Sequence, residues 1–127
     1  MLDVEVIGDG GPAAPSQAEV ERVVGIALAS AGVDDGHVAI EYVGAERIAA
    51  LNERFRGRPV PTDVLSFPVD EDRPSPGPRE LGDIVICPAH TEDLREAVLH
   101  GALHLSGMDH ETDDGEMLAL QAELLTW

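Results

Sequence analysis

The segment GDIVIC, residues 82–87, is the strongest β-strand signal in the chain and constrains the fold more than any other feature. Its aliphatic centre follows Gly82 and is closed by Pro88, which cannot continue a strand ladder. Other apolar or alternating runs predict three further strands, at residues 2–7, 37–43 and 64–67. Four short strands must pair into a sheet, and that sheet must be covered by helices.

Helical patterns lie between and after these strands. Ser16 with Glu19 gives a capping-box pattern ahead of the first helix, and Thr91 is a favourable N-cap for a third helix that runs to about Gly107. The apolar residues that repeat at helical spacing are Val20, Val24, Ala27, Leu28 and Ala31 in the first helix, Ile48, Leu51 and Phe55 in the second, and Met117, Leu120 and Leu124 in the last.

The order of the elements is βαβαββαα. It predicts an α+β fold in which a small mixed sheet of about four strands packs with about four helices, with a single layer of helix bearing the histidines described below. The length of 127 residues predicts one domain, 1–127. A chain of this size buries about two-thirds of the surface that it exposes when unfolded, which is enough for a core.

The charge of the chain is unusual. Its 25 acidic residues outnumber eight basic residues, all of them arginine, and the formal net charge is −17. This charge argues against generic nucleic-acid binding and has three explanations: a solvated acidic surface, adaptation to high salt, or a surface that docks a basic partner. With one cysteine, Cys87, no signal-peptide pattern and no membrane-spanning apolar run, we expect a soluble cytoplasmic protein without a membrane partner.

Three of the five histidines fall in HGALHLSGMDH, residues 100–110. His100 and His104 are four residues apart and therefore project from one face of the predicted helix. Gly107 can end that helix in a left-handed turn, which lets His110 return to the same point in space. Three imidazoles placed in this way predict a zinc site whose fourth position is open to water, and a bound zinc ion would lower the pKa of that water.

Two alternatives bear on this prediction. The histidines of the motif could share a face and a turn by chance. For His37 and His90 we expect a surface histidine or one whose hydrogen bonds are satisfied. The metalloprotease motif H-E-x-x-H has a glutamate general base after its first histidine, whereas this chain has Gly101, so peptide hydrolysis by that mechanism is not expected. Asp109 is either a partner that orients an imidazole or a turn residue.

Three blocks of the sequence resemble the YbeY family of bacterial rRNA maturation factors. The blocks are LNERFRGRPVPTDVLSFP at 51–68, LGDIVICP at 81–88 and HGALHLSGMDHE at 100–111, the last followed by MLALQAELL. Their order and spacing match the family over most of the chain from about residue 37. The resemblance implies a metal-dependent endoribonuclease, specific for single strands, that acts in 16S rRNA 3′-end maturation and ribosome quality control.

Carried over residue by residue, the resemblance implies that His100, His104 and His110 hold one metal ion, usually zinc, with Ni²⁺ or another divalent ion as alternatives. It assigns catalysis to His100 and to Arg56, which would engage RNA phosphate. The implied partners are single-stranded rRNA, the small ribosomal subunit and an Era-type GTPase, and the acidic surface suggests a basic ribosomal protein. No general base follows from the motifs, and Asp63 is either a candidate or a turn cap.

The arginines near the first block need separate treatment. Arg54, Arg56 and Arg58 lie within five residues, and a helix through them would place Arg54 and Arg58 on one face and Arg56 on another. The bland interpretation of Arg54 and Arg58 is a solvated helix end, where positive charge is favourable.

The sequence also departs from the family pattern and leaves other functions open. Met108 stands in place of the tyrosine of GYDH, the segment from Cys87 to His100 is short, and the chain is more acidic than an RNA-binding protein is expected to be. The alternatives are a ribosome-assembly binding module whose metal is mainly structural, and a metal hydrolase that acts on another phosphoester.

Overall fold

The computed structural model describes residues 2–69, 80–108 and 115–127. Its elements, in chain order, are β1 (Leu2–Ile7), α1 (Gln17–Ala29), β2 (Gly36–Tyr42), α2 (Ala45–Arg56), β3 (Val64–Pro68), β4 (Glu80–Ile86), a 3₁₀ turn (Pro88–His90), α3 (Leu94–Leu105) and α4 (Glu116–Leu124). This order confirms the α+β fold with a small mixed sheet. The single-domain assignment, 1–127, stays a prediction. Within the described ranges, no helix has the length and apolar character needed to cross a bilayer.

The strands form one sheet in the order β1-β2-β4-β3. The pairs β1–β2 and β2–β4 are parallel, and β3 pairs with β4 in the antiparallel sense. The parallel strands β1 and β2 require a crossover, which α1 supplies. The strand predicted most strongly, β4, therefore lies inside the sheet, whereas β3 lies at its edge.

The main core lies between the sheet and the layer formed by α1 and α3. Val38, Ile40, Ile84 and Ile86 point from β2 and β4 into this core, and each is fully buried. Because successive strand residues point to opposite faces, Val85 lies on the other side, where it packs with Ile48 of α2 in a smaller cluster. The helix that carries the histidines, α3, is thus held by a sheet that is buried on its inner face.

One carboxylate ties α1 to α3. As predicted, Ser16 caps α1 by accepting a hydrogen bond from the backbone N–H of Glu19, at 3.2 Å. The Glu19 carboxylate accepts hydrogen bonds from Arg22 at 2.6 Å and from Arg95 of α3 at 3.0 Å. The hydrogen bond from Arg22 is the main cause that lowers the pKa of Glu19 to about 2.

The second helix differs from its prediction. Ile48 and Asn52 are its buried residues, whereas Phe55, predicted to share that face, is 56% exposed. Phe55 contacts Phe67 on β3, and in the described part of the chain no strand lies beyond β3 to cover the rest of the ring. Burial of Phe55 was therefore a wrong prediction, because the helix ends at the edge of the sheet.

The expectation for the arginine faces is also wrong. The helix α2 ends at Arg56, and Gly57 adopts a left-handed conformation with φ of 73°. Because the chain turns at Gly57, Arg58 is outside the helix and does not share a face with Arg54. The Arg54 guanidinium instead lies 5.3 Å from the centroid of the Phe55 ring.

The third helix begins later than predicted. Asp93, not Thr91, is its N-cap, and the Asp93 side chain accepts from the backbone N–H groups of Arg95 and Glu96. Thr91 ends the preceding 3₁₀ turn, where its hydroxyl donates to the carbonyl of Cys87 at 2.7 Å. The prediction was wrong because the Thr91 hydroxyl is bonded within the turn that follows Pro88, and Asp93 caps the helix instead.

His37 lies on the face of the sheet opposite to α3. Its Nδ1 is 2.9 Å from a Glu80 oxygen and its Nε2 is 3.2 Å from a Glu5 oxygen. The hydrogen bond to Glu80 is the main cause that raises the pKa of His37. This confirms that His37 is a histidine with its hydrogen bonds satisfied, far in the fold from the histidines of α3.

Gly101 sets how closely α3 approaches the sheet. A Cβ added there would lie 2.6 Å from Cγ2 and 3.2 Å from Cδ1 of Ile84. The first distance is shorter than carbon atoms tolerate and the second is tight, so the helix touches β4 through a position at which a side chain would displace Ile84. The neighbours of Gly101 on the helix, His100 and His104, are thereby held at a fixed height above the sheet edge.

Two helical glycines should respond in opposite ways to alanine. Alanine is a better helix former by about 1 kcal/mol, and at Gly25 of α1 an added Cβ meets nothing within 4 Å. We expect Gly25→Ala to raise the free energy of unfolding by about 0.5–1 kcal/mol. Gly101→Ala should lower it by about 1–3 kcal/mol, because overpacking against Ile84 outweighs the propensity gain. Urea denaturation of both variants measures the two effects, and a gain at both positions would contradict the close packing.

Candidate metal centre and cleft

His100 and His104 bring their Nε2 atoms together on one face of α3. The two atoms are 3.2 Å apart, and the ring centroids are 4.8 Å apart with planes at 75°. Both side chains are half-buried. The predicted shared face is therefore confirmed, and the two imidazoles meet through the same nitrogen of each ring.

The other nitrogen of each ring faces an oxygen. His100 Nδ1 lies 2.7 Å from Oε1 of Gln121, a buried residue of α4. The amide of Gln121 is oriented in turn, since its Nε2 donates to a Glu96 oxygen at 3.2 Å and a carboxylate can only accept. His104 Nδ1 lies 3.0 Å from the backbone carbonyl of Met108.

These contacts decide where the protons are. An amide oxygen and a backbone carbonyl are acceptors, so both imidazoles must carry a hydrogen on Nδ1. In the neutral rings, each Nε2 then has a lone pair directed at the other. Two acceptors at 3.2 Å repel unless a cation or a proton lies between them.

This arrangement fits a metal ion by two independent criteria. Nitrogen ligands at 2.0–2.1 Å from a tetrahedral ion are about 3.3 Å apart, close to the 3.2 Å observed between the Nε2 atoms. Metal-binding histidines almost always donate their second N–H to a carbonyl or carboxylate, and both rings do so here. His100 and His104 are therefore suited to hold a metal through Nε2.

The turn at the end of α3 completes the orientation of His104. Gly107 has φ of 104°, and the N–H of Met108 bonds to the carbonyl of Leu103 at 3.2 Å. This left-handed turn, predicted from the glycine, brings the Met108 carbonyl back over the His104 ring. The contact is made by the main chain, so it does not depend on the side chain at position 108.

The third predicted ligand, His110, lies outside the described residues, as does Asp109. Across residues 2–69, 80–108 and 115–127, no three His, Cys, Asp or Glu side chains are grouped so as to hold a metal. His110 thus stays a prediction, and the described structure contains two of the three predicted ligands together with the groups that orient their rings.

Both histidines line an open cleft of about 860 Å³. The strand β3 runs along it, and it also contains Phe55, Arg56, Arg58 and Asp63. Arg56, predicted as a functional residue, is therefore brought to the same cleft as His100. The cleft falls in the volume range of ligand-binding sites, about 300–1,000 Å³.

Asn52 holds the loop that follows α2 and carries Arg58. Its side chain is buried, and its amide donates to the carbonyl of Val60 at 2.9 Å. Its backbone carbonyl accepts from the N–H of Arg58 at 3.3 Å. The left-handed turn at Gly57 and these two bonds fix residues 57–60 against the end of α2.

Asp63 serves as a turn cap. Its Oδ1 accepts from the backbone N–H of Val64 at 2.8 Å and from the Thr62 hydroxyl at 3.3 Å. It is also the single carboxylate among the described residues that line the cleft. The sequence left these two roles as alternatives, and the structure shows the capping contacts together with a position in the cleft.

The local charge of the cleft differs from that of the chain. Arg56 and Arg58 outnumber Asp63 among the described lining residues, although the whole chain carries −17. A second cleft of about 570 Å³ adjoins the first at Asp63 and His100, and it is lined by the acids Glu92, Asp93 and Glu96. His100 therefore lies between a cleft with more arginines than carboxylates and a cleft with several carboxylates, as counted among the described lining residues.

The packing of Gly101 also bears on peptide hydrolysis. In the protease motif, this position carries the glutamate base. Here position 101 faces Ile84 of the sheet rather than the cleft, and it has no space for even a Cβ. The geometry therefore agrees with the sequence in disfavouring the protease mechanism.

Sequence analysis missed Gln121 and Glu96. Glu96 precedes His100 by four residues, so the same helical spacing that paired the histidines places it on their face. Gln121 is the polar residue inside the apolar stripe of α4, between Met117 and Leu124, and both of these are buried. A buried polar side chain requires a partner, and that requirement was the signal available.

Comparisons with known proteins agree with the geometry. A family model described as endoribonuclease YbeY matches residues 12–127. A protein named endoribonuclease YbeY from Nocardia farcinica is 37% identical over 149 residues, covering 98% of this chain and 79% of the relative. One of the same name from Rubrobacter xylanophilus is 46% identical over 93 residues, covering 71% and 66% of the two chains. The solution structure of a Thermotoga maritima protein is similar with a TM-score of 0.53 and 26% identity, covering 96% and 86%.

Gln121 should control metal affinity without supporting the fold. We expect Gln121→Leu to weaken Zn²⁺ binding by about 10- to 100-fold, the usual cost of losing an orienting partner, as measured by competition with a chromophoric chelator. The metal-free protein should keep its free energy of unfolding, because leucine suits the apolar stripe. Gln121→Glu, which keeps an oxygen acceptor, should bind more tightly than Gln121→Leu. Unchanged affinity with lost stability would show that Gln121 is only structural.

Proposed function

This chain belongs to the endoribonuclease YbeY family, and we propose that it is a metal-dependent endoribonuclease that cleaves single-stranded RNA. The observation that carries the proposal is the meeting of the His100 and His104 Nε2 atoms, 3.2 Å apart, in a cleft that also contains Arg56. We extend it to 16S rRNA 3′-end maturation and to ribosome quality control, which the motif resemblance implies.

The metal in this proposal is one zinc ion, held by His100, His104 and His110. Imidazole ligands also accept Ni²⁺ and other divalent ions, which are the alternatives. When bound, such an ion polarises a phosphoryl oxygen and lowers the pKa of water. The contribution of the chain is to fix the tautomer of two ligands through Gln121 and the Met108 carbonyl.

The arginines act on the phosphate. A guanidinium can donate two parallel hydrogen bonds to phosphate oxygens and stabilise the charge that grows during cleavage. Arg56 is assigned this role, and Arg58 binds a neighbouring phosphate in the same cleft. Asp63 is proposed as the general base that accepts the proton of the attacking nucleophile, because no other described residue of the cleft is a carboxylate.

The distribution of charge around His100 predicts where the RNA strand lies on the protein. Phosphates are attracted to the part of the cleft with Arg56 and Arg58 and repelled from the adjoining cleft with Glu92, Asp93 and Glu96. We therefore propose that the strand lies along β3 and does not continue past His100. The excess of arginine over carboxylate among the described residues of the cleft supports RNA binding by a chain whose net charge is −17.

The acidic remainder of the surface suits a basic partner. We propose contact with the small ribosomal subunit through a basic ribosomal protein, and association with an Era-type GTPase. The same acidity favours the second candidate function, a ribosome-assembly binding module in which the metal is mainly structural.

A cleavage assay tests the proposal. Zinc-loaded protein should cut single-stranded rRNA fragments and leave duplex RNA intact, across a KCl series that covers the range from low salt to molar salt. Losing an orienting partner lowers the activity of a metal site by about 10- to 100-fold. The cleavage rate of His104→Ala should fall by more than this, because the substitution removes a proposed ligand. His90→Ala, which changes an exposed histidine outside the motif, is the matched control and should cut normally.

Circular dichroism of the same samples separates the two candidate functions. If His104→Ala stays folded and loses cleavage, the metal has a catalytic role. If wild type and His104→Ala leave the same RNA equally intact, the endoribonuclease proposal is wrong. Unfolding of His104→Ala together with uncut RNA in the wild type would favour the binding module.

A further inference from the structure

Both phenylalanines of the chain line the cleft with the histidines. Phe55 and Phe67 pack edge-on, with ring centroids 5.0 Å apart and planes at 63°. Phe55 is 56% exposed although it is a large apolar side chain. Single exposed apolar residues are common. A pair of aromatic rings in a cleft that also contains two arginines is instead typical of a ligand-binding surface.

The surroundings of Phe55 make its ring a firm platform. The Arg54 guanidinium lies 5.3 Å from the ring centroid, within cation–π range, and Phe67 contacts the ring from β3. Phe55 precedes the left-handed turn at Gly57 by two residues, and Asn52, one turn earlier on α2, anchors the following loop. The ring is thus held by contacts from the helix and from the sheet edge.

We propose that Phe55, supported by Phe67, is a stacking site for an unpaired nucleobase of the RNA, with Arg58 on the adjoining phosphate. Bases of a single strand can leave their neighbours and stack on an aromatic side chain, and this contact tolerates any base. Bases inside a duplex are already stacked and paired, so the ring cannot receive them. The site rests on the proposed function and supplies a physical reason for its preference for single strands.

The test compares side chains at position 55 in a binding assay without divalent ions, so that binding is measured apart from cleavage. Phe55→Leu keeps the apolar bulk but removes the π-face, and it should weaken binding of a single-stranded RNA decamer by about 5- to 100-fold. Phe55→Trp should bind as tightly as the wild type or more tightly. Trp127→Leu, which removes an exposed ring outside the cleft, is the matched control and should change nothing.

A second binding experiment uses RNA in which one nucleotide lacks its base. Among decamers carrying one abasic site at successive positions, at least one should bind the wild type as weakly as the intact decamer binds Phe55→Leu. The two losses should not add, because they remove the same contact. In a Trp127→Phe background, the tryptophan introduced by Phe55→Trp should be quenched when the decamer binds.

The outcomes are distinct from those of the cleavage assay. Phe55→Leu that binds the decamer as tightly as the wild type overturns the stacking site, whether or not the wild type cuts RNA. Equal losses for decamer and duplex overturn it as well, since a stacking contact with an unpaired base is confined to single strands. If the wild type binds the decamer but cuts no RNA, the proposed function is wrong. The effect of Phe55→Leu on binding then still decides whether the stacking site exists.

Discussion

The rest of the site depends on one contact, the approach of two imidazole Nε2 atoms to 3.2 Å. It is costly in isolation, because each Nδ1 faces an acceptor and both Nε2 atoms therefore present lone pairs. The fold enforces it through Gln121 on one ring and the Met108 carbonyl on the other. Imidazole nitrogens whose orientation is fixed by neighbouring groups suit a cation site, which is the basis of the metal proposal.

The helix α3 is built to keep these rings fixed. Gly101 allows it to approach β4, where Ile84 fills the space that a side chain at 101 would need. Asp93 caps its first turn, and Gly107 reverses the chain after its last. Because the helix packs on a buried strand, a shift of the histidines would disturb the main core, so the positions of the two imidazoles are coupled to the stability of the fold.

Electrostatics divides the surroundings of the histidines into two parts. Among the described residues, one cleft contains Arg56 and Arg58 with the single carboxylate Asp63, and the adjoining cleft contains Glu96 with Glu92 and Asp93. Arg56 is the last residue of α2, and the loop that carries Arg58 is held by the left-handed turn at Gly57 and by the Asn52 hydrogen bonds. Net charge therefore says little about what this cleft binds, and it describes the remaining surface instead.

Features that depend on local periodicity could be predicted from the sequence. Features that depend on the order of the strands and on contacts between distant helices could not. Strand β4, the shared face of His100 and His104 and the turn at Gly107 follow from spacing and glycine chemistry. The exposure of Phe55 does not, because it depends on which strand lies at the sheet edge. Gln121 was missed for the same reason: its partner is 21 residues away and on another helix.

Nitrogen-detected NMR of the histidine rings in metal-free protein, followed by titration with Zn²⁺, tests the central claim most directly. The account predicts that the neutral rings of His100 and His104 both carry their hydrogen on Nδ1. It also predicts that one equivalent of Zn²⁺ shifts both Nε2 resonances together. A hydrogen on Nε2 of either neutral ring, or Nε2 resonances that do not respond to Zn²⁺, would contradict it.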